Sequence, residues 1–171
     1  MKRMMIVLAG LGVAACDGAP APASEENAPK QKAELLEPGL YEVSVTVDKL
    51  ASADGAEPAT PLEAGQELTK QVCVASEGIS TPALYAEGDD DCALRNPYVR
   101  PGRFQSDLRC TRSGVSGQVN LSANGTYEAE SFETDVRTLT ALASTGDYAM
   151  SRTVTGRRVG DCPTEGDESA G

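Results

Sequence analysis

Histidine and tryptophan are both missing from this 171-residue chain. Without histidine there is no Ser-His-Asp or Cys-His nucleophile pair and no zinc centre with imidazole ligands. Nor is there a side chain whose ordinary pKa puts a general base near neutrality. Aromatic rings are sparse: Phe104, Phe132, Tyr41, Tyr85, Tyr98, Tyr127 and Tyr148. So few rings leave little from which to build stacking platforms for sugars or bases. No apolar run approaches the roughly 20 residues of a membrane-spanning helix. Positive charge is short as well, with 15 basic residues against 26 acidic ones. A surface of that sign repels nucleic-acid phosphates and anionic lipid headgroups, which argues against both as electrostatic partners.

What the chain does have begins at its start. Lys2 and Arg3 precede an apolar stretch, Met4 to Val13, which leads into Val13-Ala14-Ala15-Cys16. A basic start, a short apolar core and small residues before a cut make a secretory signal. A cysteine directly after the small residues reads as a bacterial lipobox. Residues 1–15 are therefore expected to be a lipoprotein signal peptide, with Cys16 lipidated (palmitate among its acyl chains) after cleavage. Removing the leader takes away Lys2 and Arg3, leaving 13 basic residues against 26 acidic ones. The lipid then does what charge cannot, since two or more acyl chains suffice for stable anchoring. Asp17 resembles the signal that keeps enteric lipoproteins in the inner membrane. The expectation is a cell-envelope lipoprotein facing the periplasm, in the inner membrane rather than the outer.

Cys73, Cys92, Cys110 and Cys162 remain once Cys16 is set aside. An even set in an exported chain reads as two disulfides, with three connectivities open. The expected pairs are Cys73–Cys92, closing a loop around a short helix, and Cys110–Cys162, tying the last strand to the middle of the sheet. No Cys-x-x-Cys spacing favours a metal.

Residues 16–36, rich in Ala, Pro, Ser and Glu, read as a disordered tether. A single β domain is expected over 37–163 and a disordered acidic tail over 164–171. Leu40 to Asp48 alternates strictly, with Tyr41, Val43, Val45 and Val47 on one face, which predicts a half-buried strand. Leu68 to Val74 predicts a second. Thr81-Pro82 predicts a short helix, threonine capping it and proline in its first position. Pro101-Gly102, Ser113-Gly114 and Asn124-Gly125 then mark turns between strands 104–110, 115–121 and 126–134; Asn-Gly is the strongest hairpin signal of the three. Residues 135–146 read as a loop or helical turn, and 147–157 as the last strand. The fold class is all-β: an antiparallel meander of about seven strands forming a curved sheet or incomplete barrel.

Several motifs invite chemistry. Glu87-Gly88-Asp89-Asp90-Asp91 offers hard oxygen ligands, yet lacks the EF-hand spacing, so it reads as a solvated acidic loop and not a calcium site. Asp107, Glu128, Glu130 and Glu133 include pairs at glycosidase distance, as any alternating polar strand face would. Asn124-Gly125-Thr126 matches a glycosylation acceptor, but the hairpin accounts for it. Arg157 and Arg158, adjacent on a strand, point to opposite faces and make a poor anion clamp. One is expected to pair with Asp161 or a glutamate on a neighbouring strand, and the other to be solvated. No cofactor, metal site or catalytic residue is expected.

Several segments together resemble a proteobacterial family of exported proteins, domain-of-unknown-function family 3617. They are Pro38-Gly39-Leu40-Tyr41-Glu42, Val72-Cys73, Asp91-Cys92, Cys110 and the ending Gly156-Arg157-Arg158-Val159-Gly160-Asp161-Cys162-Pro163. The ending is the most specific, and the resemblance spans about residues 37–163. Tyr41 departs from the tryptophan frequent there. The resemblance implies a fold and an exported location, but no activity. The resulting expectation is a lipid-anchored, non-enzymatic binding or structural domain. Its contacts would be the membrane, through its lipid, and an envelope protein met at a strand edge or loop. A carrier of a small apolar ligand in the concave face, and more remotely a carboxylate-only hydrolase, are the alternatives.

Overall fold

The computed structural model describes residues 35–163. The expected leader, Cys16, Asp17, all of the tether but its last two residues, and all of the expected tail lie outside the described residues. Leu36 packs into the core with 1 % exposure, at the edge of the expected tether.

Seven strands form one sheet: β1 (Gly39–Ser52), β2 (Glu67–Val74), β3 (Asp91–Arg100), β4 (Arg103–Arg112), β5 (Val115–Tyr127), β6 (Ser131–Leu142) and β7 (Tyr148–Gly160). β1 follows its alternation: Tyr41, Val43, Val45 and Val47 are buried, while Glu42, Ser44 and Asp48 face out. The order across the sheet is β2-β1-β7-β6-β5-β4-β3, with every neighbouring pair antiparallel. Read around a ring, this is a meander closed between β1 and β7 and left open between β2 and β3.

The opening follows from strand direction. Antiparallel pairing from β2 through to β3 makes these two edges run the same way. Strands of one direction cannot be joined by a tight turn, because the chain must first return along the sheet. Residues 75–90 make that return. They carry two isolated 3₁₀ turns, Gly78–Ser80 and Pro82–Leu84, in place of the expected helix. Thr81 donates its hydroxyl to the Gly78 carbonyl at 2.9 Å instead of capping the Pro82–Leu84 turn. Thr81, between the two turns, is extended (ψ 113°), which breaks the run before a longer helix can form. It buries Ile79, Leu84, Tyr85 and Ala86 in the concave face. The Tyr85 ring stacks on Phe104 of β4, centroids 5.4 Å apart, and its hydroxyl donates to the Ile79 carbonyl at 2.6 Å.

Two strand readings are corrected. Asn124-Gly125 is not a turn: it lies inside β5, paired with Gln105 and Phe104 on one side and Asp135 and Thr134 on the other. Glycine stands there for closeness, since a Cβ would strike the Glu133 carbonyl and the Thr134 backbone. The turn comes later, over Glu128, Ala129 and Glu130. Residues 135–146 are mostly strand β6, three of whose five inward positions are threonines: Thr134, Thr138 and Thr140 are buried with Phe132 and Val136, while Leu139 faces out. β3 is an edge strand with a bulge at Asn96-Pro97; Pro97, which has no N–H to give a ladder, is tolerated at an edge.

The disulfides differ from the expected pairs. Cys73 joins Cys162 and Cys92 joins Cys110. The reason is topological. Leu40 of β1 has Cys73 on one flank and Gly160 on the other, so the return of β1 to pair with β7 brings Cys162 to β2. Cys92 and Cys110 face each other directly on β3 and β4.

Candidate functional site

Two clusters stand out from the ordinary packing. The first is ionic and buried. Glu87 and Asp90, on the crossover segment, have side chains only 5 % and 2 % exposed. Arg112, at the end of β4, reaches both. Its Nε and Nη2 donate to the two Asp90 carboxylate oxygens at 2.8 Å each, and Nη2 lies 3.1 Å from Glu87 Oε1. Its Nη1 donates to the Ala59 carbonyl at 2.9 Å. Glu87 also accepts the hydroxyls of Thr60 and of Tyr148, the latter at 2.8 Å. One arginine thus ties β4, β7, the crossover and the β1–β2 loop together. The Asp90 carboxylate holds the Arg112 guanidinium above its ordinary range. Burial pushes the Tyr148 phenol up to about 12, and Glu87 adds to it.

The expected solvated acidic loop is therefore corrected. Glu87 and Asp90 are buried ion-pair partners, and only Asp89 and Asp91 face solvent. The partner, Arg112, stands 22 residues after Asp90, and no local motif links them.

Lys70 and Arg152 form the rest of this polar interior. Lys70 Nζ donates to the carbonyls of Ala83 at 2.7 Å and Ala86 at 3.1 Å, fastening β2 to the crossover. Arg152, on β7, is 2 % exposed and donates from Nη2 to the Tyr85 carbonyl at 2.9 Å. Burial pushes the Lys70 ammonium down to about 8, and the charge of Arg152 adds to the effect. Its folded pKa lies below the unfolded value near 10.4. Between these values the unfolded chain holds more protons, so stability rises with pH across that window and this contribution is lost as pH falls through 8. Burial pushes Tyr41 and Tyr148 the other way, to about 12. Above pH 10 the unfolded chain loses those protons first, and stability falls. Urea midpoints should therefore climb from about pH 8 to about pH 10 and then drop. A Lys70→Met chain should lose the climb. A midpoint that falls steadily from pH 8 in the unaltered chain would contradict this account.

The second cluster gathers the sequence motifs at the start of β1 and the end of β7. Arg158 donates from Nε to the Pro38 carbonyl at 2.9 Å and pairs through Nη2 with Asp161 at 2.5 Å. Gly39 leaves room for this: a Cβ there would strike Arg158 Nε and sit 2.6 Å from the Gly160 carbonyl. Tyr41 donates to the Glu37 carbonyl at 2.8 Å and leans on Phe132, with centroids 6.3 Å apart. The Phe132 ring lies over Gly156, where no Cβ would fit. Arg157 faces out and reaches Glu42 at 3.4 Å, both side chains exposed. Arg158 thus takes the expected partner Asp161, and Arg157, its side chain 74 % exposed, is the solvated one with Glu42 beside it. Pro38, Gly39, Tyr41, Gly156, Arg158, Gly160, Asp161 and the Cys73–Cys162 bridge make one structural clasp.

Of the remaining candidates, only Glu128 and Glu133 line a common surface pocket, beside Phe132 and Gly156. Asp107, Glu128, Glu130 and Glu133 are all exposed, and Glu128 and Glu130 lie in the β5–β6 turn instead of on a strand. Asn124 is an exposed strand residue.

The described residues thus define a small open antiparallel sheet, plugged by its own crossover, held by two disulfides and a buried ion network. The chain belongs to the family described as protein of unknown function (DUF3617), whose model matches residues 36–162. No curated protein and no solved structure matches it.

Proposed function

We propose that this chain is an exported binding domain of the cell envelope, anchored by lipid at Cys16 and without chemistry of its own. The pairing of Cys73 with Cys162 and of Cys92 with Cys110 carries the reading. It uses every cysteine but Cys16, and disulfides persist in oxidising, exported compartments. An unmodified Cys16 would be a lone thiol in such a compartment; a lipobox cysteine has another fate. The acids lend support to binding over hydrolysis. Glu87 and Asp90 are held by Arg112, and the four acids that would supply a glycosidase pair are all exposed, with none buried to raise its pKa. Orientation towards the periplasm and retention in the inner membrane through Asp17 belong to the same proposal.

Cys16→Ser is the test. The variant should leave the membrane fraction for the soluble one while its melting temperature stays unchanged, since the sheet and its core are built from residues 36–162. A Cys16→Ser chain that still sediments with membranes would refute the anchor.

A further inference from the structure

Arg152, buried, and Lys70, half-buried, are neighbouring cations, and neither has a carboxylate within ion-pair reach among the described residues. Arg152 Nε has no hydrogen-bond partner among the described residues, although the residue is 2 % exposed. An unpaired buried cation is costly and is expected to be matched by an anion. Both residues line a cavity of about 300 Å³ whose other walls include Val45, Leu62, Leu68 and Ala86. A second cavity, of about 680 Å³, shares Leu62, Leu68 and Glu87 with the first and continues over Pro61 to Arg112.

The charges of this interior do not cancel. Among the groups shielded from solvent, Lys70, Arg112 and Arg152 stand against Glu87 and Asp90, one cation in excess; Asp89, on the same wall, is exposed. Asp90 is taken by both arms of Arg112, and Glu87 by Thr60, Tyr148 and Arg112. Neither is free to turn to Arg152. We infer that the cavity is a binding site for a small monocarboxylate carrying an apolar chain, with its carboxylate set against Arg152 and Lys70. One negative charge fits the single excess cation of the shielded groups, and the buried Glu87 on the same wall disfavours a phosphate dianion. The apolar chain fits the leucines, and the cavity is at the small end for organic ligands.

This inference rests on the binding-domain reading and names its ligand class. The test uses the full chain carrying Cys16→Ser, so that no acyl group of its own competes, with octanoate, octanol and octylamine as probes in calorimetric titrations. Octanoate should bind saturably and raise the melting temperature. Octanol and octylamine should bind about tenfold more weakly or worse, each lacking the charge-assisted bonds of a carboxylate. Lys70→Met, at a half-buried position, should weaken octanoate by a similar factor while the chain stays folded; Arg152→Met should do the same where it folds. No saturable octanoate binding, octanol binding as tight as octanoate, or binding unchanged in Lys70→Met would overturn the inference. Each of those results leaves the membrane fractionation of Cys16→Ser untouched, so the two readings fail separately.

Discussion

Replacing Arg112 with methionine should cost about 3–5 kcal/mol of stability, the range seen when one partner of a buried ion pair is removed. Methionine keeps much of the side-chain length and removes all the charge. It leaves Glu87 and Asp90 facing each other with no cation in contact, although their side chains are only 5 % and 2 % exposed. It also releases the Ala59 carbonyl and one partner of the Tyr148 hydroxyl. Urea unfolding followed by circular dichroism should show the midpoint falling sharply. The combined variant Arg112→Met, Glu87→Gln, Asp90→Asn should recover a large part of the loss, because its neutral amides carry no uncompensated charge. A single Arg112→Met chain within about 1 kcal/mol of the unaltered one would mean that the network is worth no more than a surface pair.

Removing the two disulfides should have unequal effects. The Cys73–Cys162 bridge spans 89 residues of sequence and the Cys92–Cys110 bridge spans 18. In the loop-entropy account, closing the longer loop stabilises by about 4.5 kcal/mol and the shorter by about 3 kcal/mol. Cys73→Ser with Cys162→Ser should therefore be the more damaging double variant. It also frees the corner where β1, β2 and β7 meet, while the other bridge only reinforces two strands already paired. Equal losses, or a larger loss from Cys92→Ser with Cys110→Ser, would count against this ranking. A non-reducing peptide map checks the connectivity directly, and any peptide joining Cys73 to Cys92 would restore the sequence-based pairing.

How far the sequence spoke can be traced residue by residue. β1 was legible because its inward positions are Tyr41, Val43, Val45 and Val47, strongly apolar against polar neighbours. β6 was hidden because three of its inward positions are threonines and its leucine at 139 points outward, inverting the expected contrast. Asn124-Gly125 misled because glycine serves close approach as well as turning, and only the position of β6 tells the two uses apart. The cysteine count predicted two bridges, but their partners depend on β1 pairing with β7, a contact between opposite ends of the domain. Arg112 was silent for the same reason: its partners sit 22 and 25 residues away on a segment with no periodicity. The inward-facing cations Lys70 and Arg152 did carry a faint signal. Each occupies the place of an apolar residue in a strand's alternation, between Leu68 and Val72 and between Met150 and Val154.

The clasp at the start of β1 has a mechanical consequence. β1 lies between β2 and β7, hydrogen-bonded to both, and the Cys73–Cys162 bond straps its two neighbours together beside Leu40. A pull on the chain at Leu35 loads both ladders of β1 in shear, so many hydrogen bonds share the force instead of yielding one at a time. Single-molecule extension from that end should meet high resistance, and a reducing agent should lower it by letting β2 and β7 spread. A tug that enters ahead of β1 is borne by two ladders at once.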